Sequence, residues 1–175
     1  TKTETQNTPV TTQINDVKQI PFLPADFFKN SIVNCYEKNE IIFTSSGTGN
    51  AVQSKHFVAD VAVYEKSFLS CFNLFYGNIS DYCILALLPS YLERDASSLV
   101  YMVDKLIAKS NHTKSGFYKN ETKKLKETLE ELRSENQTVL LLGVSYALLD
   151  FAEQYPTSLK NTIVMETGGM KGKRK

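Results

Sequence analysis

The sequence has few residues of the kinds that cross-link small proteins or bind metals. Its cysteines, Cys35, Cys71 and Cys83, are odd in number and lack the spacing of a zinc site. This argues against a disulfide framework and favours a reducing, cytoplasmic setting. No apolar run approaches the ~18 residues that a membrane span needs. The segment Thr1–Gln13 also lacks the apolar stretch of a secretory signal.

Basic residues are outnumbered by acidic ones outside the C-terminal end. Four of the 20 basic residues lie in Lys171–Lys175, and all 19 acidic residues precede them, so the rest of the chain is net acidic. Because phosphate backbones attract an excess of positive charge, we expect no nucleic-acid partner. A basic arm formed by the tail alone is the alternative.

Histidine is almost absent too, and this limits the catalytic chemistry. His56 and His112 are the only two, and neither completes a nucleophile–base pair in the sequence. We expect His112 to be solvated in a polar loop and His56 to lie in the first turn of a helix. Cys71 and Cys83 lie in apolar contexts, where a cysteine is usually a small buried hydrophobe.

Along the chain, segments with the pattern of a strand alternate with segments that have the pattern of a helix. With 42% apolar and 22% charged residues, the chain is long enough for one folded domain. The predicted strands are Ile41–Thr44, Tyr82–Leu88, Thr138–Leu142 and Thr162–Met165. The predicted helices are Lys55–Tyr76, Ser97–Lys109, Glu121–Ser134 and Val144–Gln154, with a polar loop at His112–Asn120.

This alternation indicates the fold class and the domain boundaries. Short apolar strands between amphipathic helices predict an α/β protein with an open, mostly parallel sheet and helices on both faces. Residues 1–19 show no period and are predicted to be flexible or to wrap around the domain. Residues 20–175 are predicted to form one lobe. Its last residues, Lys171–Lys175, show neither helix cap nor strand period, so we expect a chain that is cut inside a motif.

A Ser/Thr/Gly-rich loop after the first strand is the strongest candidate site. Hydroxyl groups and glycine amides can approach an oxyanion closely, and a helix beginning nearby would point its positive end at it. Lys55 would add a mobile positive charge. We therefore predict a phosphate-binding loop made of Thr44, Ser45, Ser46, Gly47, Thr48, Gly49 and Lys55.

Two better-known phosphate motifs fit this loop poorly. In a Walker A alignment from Gly49, Ser54 replaces the second glycine and His56 replaces the magnesium-binding hydroxyl residue. In the dinucleotide fingerprint that starts at Gly47, Val52 replaces the third glycine. A Ser/Gly turn without a ligand is the other alternative.

A second candidate follows the last predicted strand. Met165-Glu-Thr-Gly-Gly169 places a glycine pair at a strand end, where such pairs often allow close approach of a ligand. A sharp turn without a ligand is the competing interpretation. Glu166 is the one carboxylate there.

These motifs resemble those of a known family. Thr44-Ser-Ser-Gly-Thr-Gly49 resembles the phosphate loop of adenylate-forming enzymes, and Asn161–Met170 resembles the strand and Gly-Gly loop that line their adenosine pocket. A narrower resemblance, to LuxE-type acyl-protein synthetases, runs in order from about Ile20 to the end. It is carried by Ile20–Lys29, Leu87–Arg94, Ser97–Met102, Ser115–Tyr118 and Glu166–Gly172.

The resemblance implies an N-terminal lobe of an adenylate-forming enzyme and its activity. The full enzyme would use ATP and Mg²⁺ to activate a fatty acid, and would pass the acyl group to a cysteine thiol. An acyl-accepting protein or a reductase would be its partner. The loop residues would hold the β- and γ-phosphates, and the acyl pocket would be bordered by Tyr91 and Ser98. The adenosine pocket would be bordered by Glu166, Thr167, Gly168 and Gly169.

The chain also departs from the family pattern. Its loop, Gly47-Thr-Gly-Asn50, is one residue tighter than Gly-Thr-Thr-Gly. The aromatic-Gly-x-Thr-Glu segment, the ribose-binding Asp, the lid Lys and the late acylated Cys of the family have no counterpart before Lys175, so the catalytic residues would lie beyond it. Two rival functions remain: a non-catalytic lobe that binds a nucleotide or a partner, and a degenerate P-loop phosphotransferase.

Overall fold

The computed structural model describes residues 15–20, 22–34, 36–45, 52–88 and 96–168. The strands are β1 (Ile41–Thr44), β2 (Lys55–Val58), β3 (Tyr82–Leu87), β4 (Gly116–Phe117), β5 (Thr138–Val144) and β6 (Thr162–Thr167). The helices are α1 (Phe27–Asn30), α2 (Val61–Tyr76), α3 (Ser98–Ser110), α4 (Thr122–Ser134) and α5 (Ser145–Gln154). Two short 3-10 turns lie at Val17–Gln19 and Ile79–Asp81.

The predicted α/β class is confirmed by a four-stranded parallel sheet in the order β4-β3-β5-β6. Its two central strands, β3 and β5, pair from Tyr82↔Thr138 to Leu87↔Gly143. Every residue of β3 is buried. A strand buried on both faces reads as a continuous apolar run, which is why Tyr82–Leu88 could be recognised in the sequence.

Alternate side chains of the central strands enter two different cores. On one face, Cys83, Leu85 and Leu87 of β3 pack with α4 and α5, where Leu125, Leu129, Leu132 and Phe151 are buried. On the other face, Ile84 and Ala86 pack with α2 and α3, where Phe68, Phe72, Val103 and Leu106 are buried. The sheet is therefore covered by helices on both faces, as the sequence predicted.

The order of the strands explains which face each helix covers. The chain leaves β3 towards β4 through α3, then returns across β3 through α4 to β5 and continues through α5 to β6. Connections between parallel strands are almost always right-handed. A connection that runs in the opposite direction across the sheet therefore places its helix on the opposite face. Accordingly, α3 lies on one face, and α4 and α5 lie on the other.

Three predictions about elements were wrong. Residues Lys55–Val58 form β2 and not the first turn of a helix, because they pair antiparallel with β1. The β1–β2 pair is a separate hairpin, so Ile41–Thr44 is not a strand of the parallel sheet. The polar loop at His112–Asn120 contains the short edge strand β4.

The N-terminal part of the chain is described at residues 15–20 and 22–34. Asn15–Ile20 contains a 3-10 turn that Asp16 caps, with exposed side chains. The Asp26 side chain makes no cap bond to α1 and instead lies 2.9 Å from the Lys29 ammonium. Gly77 ends α2 as predicted, with a φ of 80° that other residues rarely adopt.

Gly143 offers a test of the packing between the two central strands. A Cβ built there lies 2.8 Å from Leu148 Cγ and 3.2 Å from Leu87 Cβ, and the latter cannot move without the strand. We predict that Gly143→Ala lowers the free energy of unfolding by about 1–3 kcal/mol, as overpacking does. Urea denaturation measures this.

Gly116→Ala is the matched control. The Cβ added at Gly116 meets only Tyr118 Cε2, at 3.8 Å, which is an ordinary contact. We expect this variant to lose clearly less stability than Gly143→Ala. Equal losses would show that close packing at Gly143 is not the cause.

Candidate functional site

The carboxyl edge of the parallel sheet gathers most of the described residues that the sequence singled out. β3, β5 and β6 end side by side there, with Leu87 opposite Gly143 and Val144 opposite Thr167. The connections from β3 and β5 run to opposite sides of the sheet. Ligands of open α/β sheets bind at such a reversal, outside the carboxyl ends of the strands.

The β1–β2 hairpin is attached beside this edge. The Thr44 N–H donates to the Ala96 carbonyl at 2.8 Å, two residues before α3 begins. Phe43, 5% exposed, packs edge-to-face against Tyr64 and Tyr101, with ring centroids 5.4 and 5.6 Å apart. These contacts fix the hairpin to the start of α3, which is the helix that follows β3.

Thr44 and Lys55 lie opposite each other at the loop end of the hairpin. Directly paired residues of antiparallel strands point their side chains to the same face. The Thr44 hydroxyl and the exposed Lys55 ammonium are therefore neighbours on one face, at the base of the Ser/Gly loop. A hydroxyl donor beside a mobile cation is suited to bind an anion.

Ser45 and Ser54 close the base of the same loop. The Ser45 N–H donates to the Ser54 carbonyl at 3.0 Å, and the Ser54 N–H donates to Ser45 Oγ at 3.0 Å. The remaining predicted loop residues, Ser46, Gly47, Thr48 and Gly49, lie outside the described residues, as do Gly169 and Tyr91.

The helix that was expected to support the loop does not do so. The helix α2 begins at Val61, after β2, and its first amides already have partners. The Val61 N–H donates to Glu40 Oε2 and the Ala62 N–H donates to Asp60 Oδ1, both at 2.8 Å. The prediction that this helix end supports the phosphate loop was therefore wrong. A loop between two antiparallel strands also lacks the strand–loop–helix context of a Walker A motif.

His56 lies on β2 and not in a helical turn. Its ring stacks on Phe28 with centroids 4.8 Å apart, and its Nε2 lies 3.1 Å from Ser54 Oγ. Ser54 is 8% exposed. The ring therefore links α1 to the base of the hairpin. The other histidine, His112, accepts the Lys114 N–H through Nδ1 at 3.2 Å.

The second candidate centres on the end of β6. Glu166 and Thr167 belong to this strand, which extends beyond the predicted Met165. The buried Ser145 Oγ is hydrogen-bonded to Glu166 Oε1 and lies 3.0 Å from the Gly168 carbonyl. Gly168 has a φ of 81°, which explains why glycine follows the strand.

Ser145 is a site residue that the sequence analysis missed. It is the first residue of α5 and follows the carboxyl end of β5, which borders the reversal in the sheet. The rule that ligands bind beyond strand ends applied to Ser145 as well as to Glu166.

Among the residues predicted to border the acyl pocket, Ser98 begins α3 and its carbonyl accepts the Tyr64 hydroxyl at 3.0 Å.

A group of three side chains joins α2 to α3 beneath the hairpin. The Tyr101 hydroxyl donates to Glu65 Oε1 at 2.6 Å, and the Lys105 ammonium lies 3.2 Å from the same oxygen. These bonds lower the pKa of Glu65, with the Tyr101 hydroxyl as the main cause. The pKa of Lys105 is raised by its hydrogen bond to Glu65. Burial and the adjacent carboxylate raise the pKa of Tyr101.

Tyr101→Phe tests this group through its pH dependence. We expect a loss of about 0.5–1.5 kcal/mol at pH 7, the usual contribution of one hydrogen bond. Because the folded pKa of Glu65 lies below its ordinary 4.5, this stabilisation is present above pH 4.5 and is lost as the pH falls through the lower value. The gap between the urea midpoints of the two proteins should narrow as the pH falls below 4.5. A gap that stays the same at every pH would contradict the assignment.

The two described cysteines differ in exposure. Cys83 is fully buried in β3, and burial raises the pKa of its thiol to about 11. Cys71 is exposed on α2, so the expectation that both are buried was wrong for Cys71. A thiol with the pKa of Cys83 is not a nucleophile in the folded protein.

Thiol alkylation distinguishes the two cysteines. At pH 8 we expect iodoacetamide to modify Cys71 in the folded protein, and Cys83 only after urea unfolds the chain. Peptide mass spectrometry reports each site separately. Modification of Cys83 at the same rate as Cys71 in the folded state would contradict the burial.

Comparison with family models, curated proteins and solved structures gave no match. Across the residues that the structure describes, no helix is long and apolar enough to cross a membrane. Over the same residues, no three His, Cys, Asp or Glu side chains are grouped so that they could hold a metal ion.

Proposed function

We propose that this chain is the N-terminal part of an ATP-dependent acyl-activating enzyme of the LuxE-like type. The enzyme would convert a fatty acid and ATP into an acyl-adenylate and pyrophosphate, and would then transfer the acyl group to a cysteine thiol. The support is the ordered series of motifs in the sequence, together with an α/β sheet at whose carboxyl edge Leu87 and Glu166 lie, each the first residue of one of these motifs.

The observation that carries the proposal is the pairing of Thr44 with Lys55. It places a hydroxyl and an ammonium on one face, at the base of a loop rich in serine, threonine and glycine. The hairpin is bonded to the residues just before α3, beside the carboxyl edge. A triphosphate with its β- and γ-phosphates at the loop would extend from Thr44 and Lys55 along this edge.

In the proposed reaction, the carboxylate oxygen of the fatty acid attacks the α-phosphorus of ATP. The bond from the α-phosphorus to the bridging oxygen breaks, and pyrophosphate leaves with the bond electrons. Lys55 and the loop hydroxyls would stabilise the charge that develops on pyrophosphate, as preorganised donors do. The thiolate of an acceptor then attacks the acyl carbon and AMP leaves. The buried Cys83 is unsuited to that second step.

The end of β6 would bind the adenosine portion. Glu166 and the Gly168 carbonyl present acceptor oxygens, which suit the ribose hydroxyls and the adenine amine. Thr167 would border the same pocket, and Ser145 would hold Glu166 in place. Ser98, at the start of α3, would border the acyl chain.

Magnesium would enter with the triphosphate. In nucleotide sites Mg²⁺ takes most of its ligands from phosphate and water, and only one or two from protein carboxylates. The hydroxyl and ammonium at the hairpin base fit phosphate oxygens and do not fit a metal ion. Bound magnesium would neutralise the leaving pyrophosphate.

ATP affinity tests the role of the hairpin base. We predict that Thr44→Val and Lys55→Met each raise the Kd for MgATP about tenfold or more, since a hydrogen bond to a charged group contributes about 1.5–3 kcal/mol. Ser46→Ala combined with Thr48→Ala should act in the same direction. Isothermal titration calorimetry gives the Kd values.

Lys160→Met is the matched control, because Lys160 is an exposed lysine that precedes β6 at the opposite edge of the sheet. It should leave ATP affinity unchanged. Unaltered affinity in Thr44→Val and Lys55→Met would remove the phosphate assignment. Fatty-acid-dependent ATP–pyrophosphate exchange, measured on this chain and on any longer form, tests the reaction itself. Absence of exchange in the longer form would reject it.

The exposed side of α2 favours a second candidate function, a non-catalytic lobe that binds a nucleotide or a partner. Val63, Leu74 and Phe75 are 67–78% exposed there. Large apolar side chains exposed near both ends of this helix, with the polar residues Lys66, Ser67 and Ser70 between them, offer a surface to a partner. ATP binding without pyrophosphate exchange in any form of the protein would favour this candidate over the enzyme.

A further inference from the structure

An apolar cavity of about 350 Å³ lies between α5 and the edge strand β6, on the same face of the sheet as α4. Its walls are aliphatic and aromatic: Leu141, Leu148, Leu149, Phe151, Ala152, Leu159 and Val164. Cavities that bind small molecules begin at about 300 Å³ and are lined mainly by such residues. The volume therefore suits a small ligand with an apolar body.

The walls of this cavity remain partly open to solvent. Leu149, Leu159 and Val164 are 44%, 38% and 49% exposed, although all three are large apolar side chains. An apolar ligand that covers them would remove this surface from water, and the hydrophobic effect would contribute to its binding.

The polar lining of the cavity is one carboxylate and one hydroxyl group. Glu166 and Ser145 line it, and the Gly168 carbonyl lies 3.0 Å from Ser145 Oγ. The single hydroxyl hydrogen of Ser145 is already directed at one of these two acceptors. A ligand head group in the cavity therefore meets the Glu166 carboxylate, which accepts hydrogen bonds, and a head group that donates them suits it.

We propose that this cavity binds a small amphipathic amine, with its ammonium group at Glu166 and its hydrocarbon part among the leucines and Val164. The same charge opposes a carboxylate head group, so the cavity is unsuited to a free fatty acid. The site is built from α5 and β6 with Leu141 of β5 and Leu159 of the connection before β6, and it shares Glu166 with the proposed adenosine pocket, so the amine and adenosine would compete for it. It goes beyond the proposed acyl activation and does not depend on ATP binding at the hairpin.

Three probes of equal chain length separate shape from charge: n-hexylamine, 1-hexanol and hexanoate. Methyl-labelled NMR at pH 7 reports on Leu148, Leu159 and Val164 directly. We expect all three sets of methyl signals to shift with hexylamine. Its affinity should exceed that of hexanol by about two- to fivefold, as expected for an exposed ion pair. Hexanoate should bind most weakly.

Two variants locate the site. Glu166→Gln should abolish the preference for hexylamine over hexanol, whereas Glu130→Gln, on an exposed part of α4, should keep it. Ala152→Leu should weaken all three probes, because it narrows the cavity from an exposed helix position where leucine is a good helix former. Added salt should reduce the hexylamine preference.

Several outcomes would overturn the inference. Hexanoate binding as tightly as hexylamine would refute the charge argument. Unshifted methyl signals, or binding unaffected by Ala152→Leu, would refute the location. Adenosine that shifts the same methyl signals, with no effect of hexylamine, would assign the cavity to the nucleotide and leave the hairpin test on ATP affinity standing.

Discussion

The pairing of β3 with β5 is the constraint on which the rest of the structure depends. These strands are buried on both faces, so each contributes side chains to both cores, and all four large helices pack against them. Each Å² of apolar surface that is buried contributes about 25 cal/mol to the free energy of folding. A strand pair that is covered on both faces is therefore the main source of stability. Leu87 and Gly143 also end the pair at the edge where the candidate site lies.

The central fold could be read from the sequence because its signals were local and strong. Tyr82–Leu88 and Val139–Leu142 are unbroken apolar runs, and the seam of Leu125, Leu129 and Leu132 has helical spacing. All of these side chains are buried. The strand β4 was missed because two residues, Gly116 and Phe117, carry no period that can be recognised.

The error at Lys55–Val58 shows where local pattern fails. Phe57 lies four residues before Val61, so by coincidence it continues the three- and four-residue spacing of Val61, Tyr64, Phe68 and Phe72 in α2. The segment is a strand because β1 supplies a partner for its backbone. The pattern of neighbouring residues cannot predict a pairing with a segment elsewhere in the chain. Thr44 and Lys55, which the sequence analysis placed in one loop site, lie opposite each other in the hairpin. Ser145 was not, since its bond to Glu166 spans 21 residues of chain.

The hairpin β1–β2 stands apart from the main sheet, and this has a consequence for cooperativity. Two-stranded hairpins have little stability of their own. This one depends on the Phe43 ring contacts, the Phe28–His56 stack and the Thr44–Ala96 bond. It is therefore suited to open as a unit while the sheet stays folded. Any anion held between Thr44 and Lys55 would join the two strands and slow amide exchange in the hairpin far more than in β3.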